Sequence, residues 1–305
     1  MSFILLPNLK LVHPIIKQSQ LAQYSFNETP DLSDGFEENE WPEWSPSDVT
    51  MSAWIDASDT SSYTTSGTTI TSVTDKAGTY TMSVGGTPTA NYTQNGLSVF
   101  AFDGNGEYLQ STNQSAQTDG AGNHWAIGVF RYDTTDNNKD SIWSYLTNGS
   151  PKRDYAVSAG ASNNTWPGEI DLDALTSNRI SSTIGNLQQW TATSLSRFQF
   201  NIVACWFNKS GNQIGARVNG SNAFTPVNDY TNSLQANQQL RLMRNRSSVE
   251  LAGRLAEFFA VADIPGTSGT DIDILEKAEG YLAHKWGLES KLPSNHPYKN
   301  SVPTP

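Results

Sequence analysis

Three acids alternate in the stretch Trp166-Pro-Gly-Glu-Ile-Asp-Leu-Asp173: Glu169, Asp171 and Asp173. On an extended strand alternate residues share a face, so this spacing puts three carboxylates side by side. Carboxylates so placed could cleave a glycosidic bond, one attacking and another acting as acid and base at about 5–5.5 Å. The third position is Asp, one methylene shorter than Glu, and would sit back from such a site. Oxygen donors suited to calcium occur at Asp103, Asn105 and Glu107, and again at Asp133, Asp136, Asn137 and Asp140. Neither set has EF-hand spacing, and Asp103-Gly-Asn-Gly106 is equally good turn chemistry. Aromatic rings beside amides could stack on and hydrogen-bond a sugar. Trp166 with Asn163 and Asn164 fits that description, and so does Trp143 with Tyr145. The four histidines, His13, His124, His284 and His296, have no zinc-binding spacing. His284 reads as a cation closing a helix. The single cysteine, Cys205, excludes an intrachain disulfide and reads as a buried structural thiol.

The elements that must position these groups are mostly strands. The chain has 305 residues, a formal net charge of −11 and only 16% charged residues. An acidic chain without a basic stripe does not present a nucleic-acid surface. Short apolar runs separated by Gly, Asn, Asp and Ser turns, a dozen or so in number, indicate a sandwich. Strands are expected at 53–57, 70–74, 98–102, 108–110, 124–132, 141–146, 155–159, 169–172, 187–193, 197–207, 213–218 and 240–244. Residues 58–69 are expected to form a Ser/Thr-rich loop. Arg254 to Ala262 is almost wholly apolar, with the one acid Glu257, and reads as a strand in the middle of a sheet. After Pro265 and Gly266 comes the one convincing helix, Thr270 to Trp286. Ser268 and Thr270 are the candidate caps, and Ile274, Leu275, Ala278, Tyr281, Leu282 and Trp286 form its apolar face. Gly287 is the expected stop.

Residues 1–50 differ from the rest. Phe3, Ile4, Leu5, Leu6, Leu9, Leu11, Val12, Ile15 and Ile16 are apolar but broken by Pro7 and Pro14, which suits an extended arm. The segment lacks the basic start and unbroken apolar core of an export signal, and it does not suit a membrane span. Two cations against eight acids make the arm strongly negative. Such an arm is either a strap across its own domain or a docking peptide for a partner, and docking is the reading adopted. The expected organisation is an N-terminal docking arm (1–50), one β domain (51–298) and a C-terminal tail (299–305).

Several motifs then line up in order: WIDASDTSSYTT and VTDKAG within 54–78, FDGNGEYLQ at 102–110, FNIVACWFNKSGNQIGARVNG at 200–220, and LAGRLAEFFAVAD at 251–263 with GYLAHKWGL after it. Together they resemble the concanavalin A-like (laminin-G-like) lectin and glucanase domains. The resemblance implies an all-β, two-sheet antiparallel jelly-roll sandwich with one C-terminal helix. Its particular variant is similar to modules of bacteriophage virion proteins and large bacterial surface proteins. It implies that Trp54, Trp125, Trp206 and Trp286 build the core, and that a structural calcium is the one cofactor to expect, none being required. The stretch 169–173 also resembles the E-x-D-x-E strand of laminarinase- and agarase-type glycoside hydrolases, which would make Glu169 the nucleophile, Asp171 its tuner and Asp173 the acid/base. The expectation drawn from all this is a non-enzymatic virion protein, made in the host cytoplasm: a capsid decoration or cement protein, a head fibre or a tail appendage. Its arm would dock on capsid or tail proteins, its domain would meet further copies of itself and host-surface glycans, and it would neither bind nucleic acid nor enter a membrane. The alternatives are a glycoside hydrolase and a cell-surface adhesion module.

Overall fold

The computed structural model describes residues 43–113, 115–116, 123–133, 140–146, 155–159, 179–184, 187–192, 198–208, 213–222, 237–244, 250–263 and 272–305. Glu169, Asp171, Asp173, Asn163, Asn164 and Trp166 lie outside these residues, as do Asp136, Asn137, the arm residues Phe3 to Ile16, and the caps Ser268 and Thr270.

Among the described residues the strands run in chain order β1 (Met51–Asp56), β2 (Tyr63–Ser66), β3 (Thr69–Val73), β4 (Met82–Gly85), β5 (Thr89–Gln94) and β6 (Leu97–Asp103). Next come β7 (Tyr108–Ser111), β8 (Ser115–Ala116), β9 (His124–Tyr132), β10 (Asp140–Leu146), β11 (Tyr155–Ala159) and β12 (Arg179–Ile184). The remainder are β13 (Leu187–Ala192), β14 (Asn201–Asn208), β15 (Gln213–Val218), β16 (Ser221–Asn222), β17 (Asn237–Leu242), β18 (Ala252–Val261) and the helix α1 (Ile272–Trp286). One sheet has the order β16-β15-β14-β9-β18-β6-β5-β3-β2, with β1 also on β18. The other has the order β13-β12-β11-β10-β17-β7-β4, with β8 on β17. The pairings of β18 with β1, β6 and β9 are antiparallel, as are those that build the second sheet. This is the expected all-β jelly-roll sandwich with one helix near the C-terminus.

The sandwich has two cores. Alternation sends Phe100, Phe130, Trp143, Tyr145, Leu240, Leu242 and Phe258 between the sheets. The opposite face of the ten-stranded sheet carries Trp125, Ile127, Val129 and Phe259, and α1 covers it with Leu275, Ala278, Leu282 and Trp286. Each large side chain buried there contributes about 1.5–3 kcal/mol. β18 is central, as its apolar run requires: β9 flanks it along one side, and β6 and then β1 along the other.

The helix ends where Gly287 stands at φ +66, and the Leu288 amide donates to the Ala283 carbonyl at 2.8 Å, a Schellman closure. The β5–β6 turn, Asn95-Gly96, has both residues at positive φ, as a two-residue hairpin requires. Its side chains cap the helix: Asn95 Nδ2 donates to the Lys285 carbonyl at 3.0 Å and Gln94 Nε2 to that of Trp286 at 2.8 Å.

Some boundaries differ from expectation. The stretch 58–69 contains β2, an exposed edge strand of Thr and Ser whose hydroxyls pair laterally, Thr64 with Thr71 and Ser72. The expected strand from Arg197 begins only at Asn201, because Phe198 takes a positive φ of 58° that breaks extended pairing. The packed unit also reaches beyond 51–298 at both ends and spans 42–305. Trp44 is buried against Phe259 and Tyr281, at ring-centroid distances of 6.4 and 5.9 Å. Its amide donates to the Pro303 carbonyl at 2.8 Å, so residues assigned to the arm and to the tail meet on the helix side.

Candidate functional site

Two of the acids proposed for calcium, Asp103 and Glu107, are engaged by their own turn. Glu107 is buried, its Oε2 accepting the Asp103 amide at 2.6 Å and its Oε1 the Thr87 hydroxyl at 3.2 Å. Asp103 Oδ1 accepts the Asn105 amide at 2.8 Å, an Asx turn in the connection that carries the chain from β6 in one sheet to β7 in the other. Asp133 accepts from Arg131 Nε at 2.7 Å and pairs with Arg254 Nη1 at 3.0 Å. Among the described residues no three His, Cys, Asp or Glu side chains converge as a metal site. Trp143 and Tyr145 do not form a sugar platform: both are fully enclosed between the sheets, because β10 turns them inward. Cys205 is a buried thiol outside any disulfide, and Trp125, Trp206 and Trp286 lie in the helix-side core. His284 bonds through Nε2 to the Tyr298 carbonyl at 2.9 Å, with Nδ1 3.5 Å from Glu289.

Among the described residues, the strongest concentration of charge lies where β1, β18 and α1 meet. In β1 and the residue after it, Ala53, Ile55 and Ala57 enter the inter-sheet core, so Trp54 and Asp56 face the helix side. On β18 strict alternation would send Glu257 inward beside Leu255. A bulge between Leu255 and Glu257 prevents this, and Ala256 and Glu257 both face α1. Asp56 then stands directly opposite Glu257 in the strand register. Like charges placed so repel, and two lysines resolve the repulsion.

Glu257 is completely buried and accepts four hydrogen bonds. Trp54 Nε1 at 2.9 Å and the Tyr281 hydroxyl at 3.1 Å donate to Oε1. Lys285 Nζ at 2.7 Å and Trp286 Nε1 at 3.1 Å donate to Oε2. Lys285 also donates to Asp56 Oδ2 at 3.0 Å and to the Tyr281 hydroxyl at 3.1 Å. Lys76 reaches Asp56 at 3.2 Å and Asp59 at 2.8 Å while lying 3.9 Å above the Trp54 ring. Burial pushes the Glu257 carboxyl up, and Lys285 only partly offsets it. Burial acts on Asp56 in the same sense, but Lys285, the Ser58 hydroxyl and Lys76 together outweigh it and hold that carboxyl below its ordinary value. Burial, followed by the charges of Glu257 and Asp56, drives the Tyr281 hydroxyl far upward, so it remains a donor.

Beside this network a crevice of about 460 Å³ opens between Trp44, Tyr281, His284, Lys285, Val302 and Pro303. Its walls could hold a small amphipathic group. Acid–base chemistry is another matter. Glu257 is sealed behind two indoles, and Lys285 spends its protons on two carboxylates and a phenol. The arrangement fastens the helix to the sheet. Sequence reasoning marked Glu257 only as the one acid in an apolar run. The usable signal was a lone buried acid on a strand together with Trp54, Tyr281, Lys285 and Trp286, all in motifs already singled out.

No family model matches the chain, and no curated protein does. Among solved structures, the chain is similar to domain 4 of AbnA, a GH43 extracellular arabinanase from Geobacillus stearothermophilus, in complex with arabinotriose. That match has 11% identity and a TM-score of 0.46, covering 69% of this chain and 91% of that one. A native heptameric SAP-like pentraxin from Limulus polyphemus matches at 10% identity and TM-score 0.44, covering 58% and 80%. The CBM40 of the Ruminococcus gnavus IT-sialidase bound to α2,3-sialyllactose matches at 12% identity and TM-score 0.37, covering 55% and 96%.

Proposed function

We propose that the chain is a non-catalytic, glycan-binding display domain on a bacteriophage virion, anchored to capsid or tail proteins through the residues ahead of Glu43. The observation that carries this reading is the meeting of the two ends of the packed unit at Trp44 and Pro303, over the helix-covered face. The lectin-like motifs support sugar as the displayed domain's ligand, and the apolar, proline-broken arm supports docking.

Deleting residues 1–42 tests the anchor. The shortened chain should keep its melting temperature and lose incorporation into particles; incorporation at the full-length level would overturn the reading. The hydrolase alternative rests on Glu169, Asp171 and Asp173. Release of reducing sugar from β-glucan or agarose that disappears in Glu169→Gln would establish it against the proposal.

A further inference from the structure

We infer that a second cavity, between the β15–β16 hairpin, α1 and residues 293–296, is a subsite for one neutral sugar ring, recognised through adjacent hydroxyls. The inference rests on the proposed glycan binding and gives it a location.

The cavity encloses about 280 Å³ and is polar, with Arg217, Ser221, Asn222, Glu276, Pro293 and Asn295 in its wall. That is close to the ~300 Å³ at which small-molecule pockets begin and suits a single ring. Its floor is a closed ion pair. Arg217 clamps the fully buried Glu279 with Nε to Oε1 at 2.8 Å and Nη2 to Oε2 at 2.9 Å, and Nη2 also donates to the Gly220 carbonyl at 2.6 Å. His296 Nε2 lies 3.1 Å from Glu279 Oε2, while its Nδ1 accepts the Tyr298 amide at 3.2 Å. With Nδ1 accepting, Nε2 is the ring nitrogen that faces Glu279. The clamp sets the Arg217 guanidinium directly against the Glu279 carboxylate.

What remains at the rim can reach a ligand. The Glu276 carboxylate stands 3.6 Å from Arg217 Nη2, beyond a good hydrogen bond. Ser221, Asn222 and Asn295 are exposed. One carboxylate, two amides and a hydroxyl above a guanidinium offer acceptors and donors side by side. A pair of neighbouring sugar hydroxyls needs that mixture, since each donates one hydrogen bond and accepts others. Two carboxylates, Glu276 and Glu279, share the one guanidinium of Arg217, and the excess of negative charge disfavours phosphate and acidic sugars. A lone carboxylate beside a guanidinium does not suit a divalent cation, which wants six or more oxygens. Pro293 supplies an apolar wall for one face of the ring. The rim is also held in place: Asn219 and Gly220 adopt φ of 51° and 76°, and a Cβ on Gly220 would lie 2.8 Å from the His296 ring.

The test is a titration of the ¹⁵N-labelled full chain with the methyl glycosides of glucose, galactose, mannose and N-acetylglucosamine. At least one glycoside should shift the side-chain amide signals of both Asn222 and Asn295. Glu276→Gln and Asn295→Ala should each weaken that glycoside by about tenfold, as expected for a lost hydrogen bond to a charged or preorganised group. Binding that leaves both amide signals in place and is unchanged in the variants overturns the subsite while leaving glycan binding intact. No response to any of the four anywhere in the spectrum overturns both.

Discussion

Replacing Glu257 by Ala would leave two indole N–H groups without their acceptor and Lys285 with Asp56 as its one remaining carboxylate partner. Breaking a buried pair from one side costs about 3–5 kcal/mol, and urea denaturation of Glu257→Ala should show a loss of that order. Asp56 makes a separate, pH-dependent contribution. Its carboxyl is held below the ordinary value of 3.8, so the folded state binds a proton there less readily than the unfolded chain. That stability is present above 3.8 and is lost as pH falls through the folded value. Glu257, raised above 4.5, acts in the opposite sense: its contribution is complete below 4.5 and is lost as pH rises through its folded value. Asp56→Asn should therefore flatten the acid side of a melting-temperature profile, and an acid limb as steep as that of the parent would assign the effect elsewhere. For calcium, the turn from Asp103 to Glu107 already engages both carboxylates in hydrogen bonds. Adding calcium or EDTA should leave the melting temperature unchanged; a rise with calcium would mean that the turn opens to hold an ion. At this scale the sequence was least informative, because Trp54 lies 203 positions from the Glu257 it bonds. No local pattern carries such a pairing.

At the scale of elements, β18 and α1 were legible because each satisfies a strong periodicity, continuous for a strand buried on both faces and helical for a lid. The edge strand β2 was not legible. Its Thr and Ser residues bury little, so they leave no hydrophobic alternation to read. The bulge at Ala256 was hidden for the opposite reason: the run is apolar on both sides of the single acid Glu257, so no alternation marks the slip. Gly280 makes a prediction at this scale. A Cβ there would fall 2.4 Å from the Tyr298 Cβ, so the C-terminal segment packs on bare helix backbone. Alanine gains about 0.8–1 kcal/mol of helix propensity over glycine, but overpacking costs about 1–3 kcal/mol. Gly280→Ala should lower the melting temperature and expose residues 298–303 to proteolysis; a more stable variant would mean the segment yields freely.

For the whole molecule, the sandwich and its lid follow from composition and turn spacing, whereas the limits of the packed unit do not. Trp44 stands in an acidic, proline-flanked stretch that reads as arm, and only its contacts with Phe259, Tyr281 and Pro303 place it in the domain. Removing residues 1–50 instead of 1–42 should therefore cost about 3–5 kcal/mol, the usual price of losing a buried Trp. At about 2–4 °C per kcal/mol the difference is easily seen in a melting curve. The position of β18 has a consequence for biosynthesis. The ten-stranded sheet consists of two wings, β6-β5-β3-β2 and β9-β14-β15-β16, joined by a strand that spans Ala252–Val261. On the ribosome both wings emerge before the strand that joins them, each with an unpaired edge where its partner belongs. Closure waits for long-range pairing, a slow step, while the open edges invite association with other chains. A nascent chain stalled before residue 252 should therefore bind holding chaperones, and release from them should coincide with synthesis of the keystone strand.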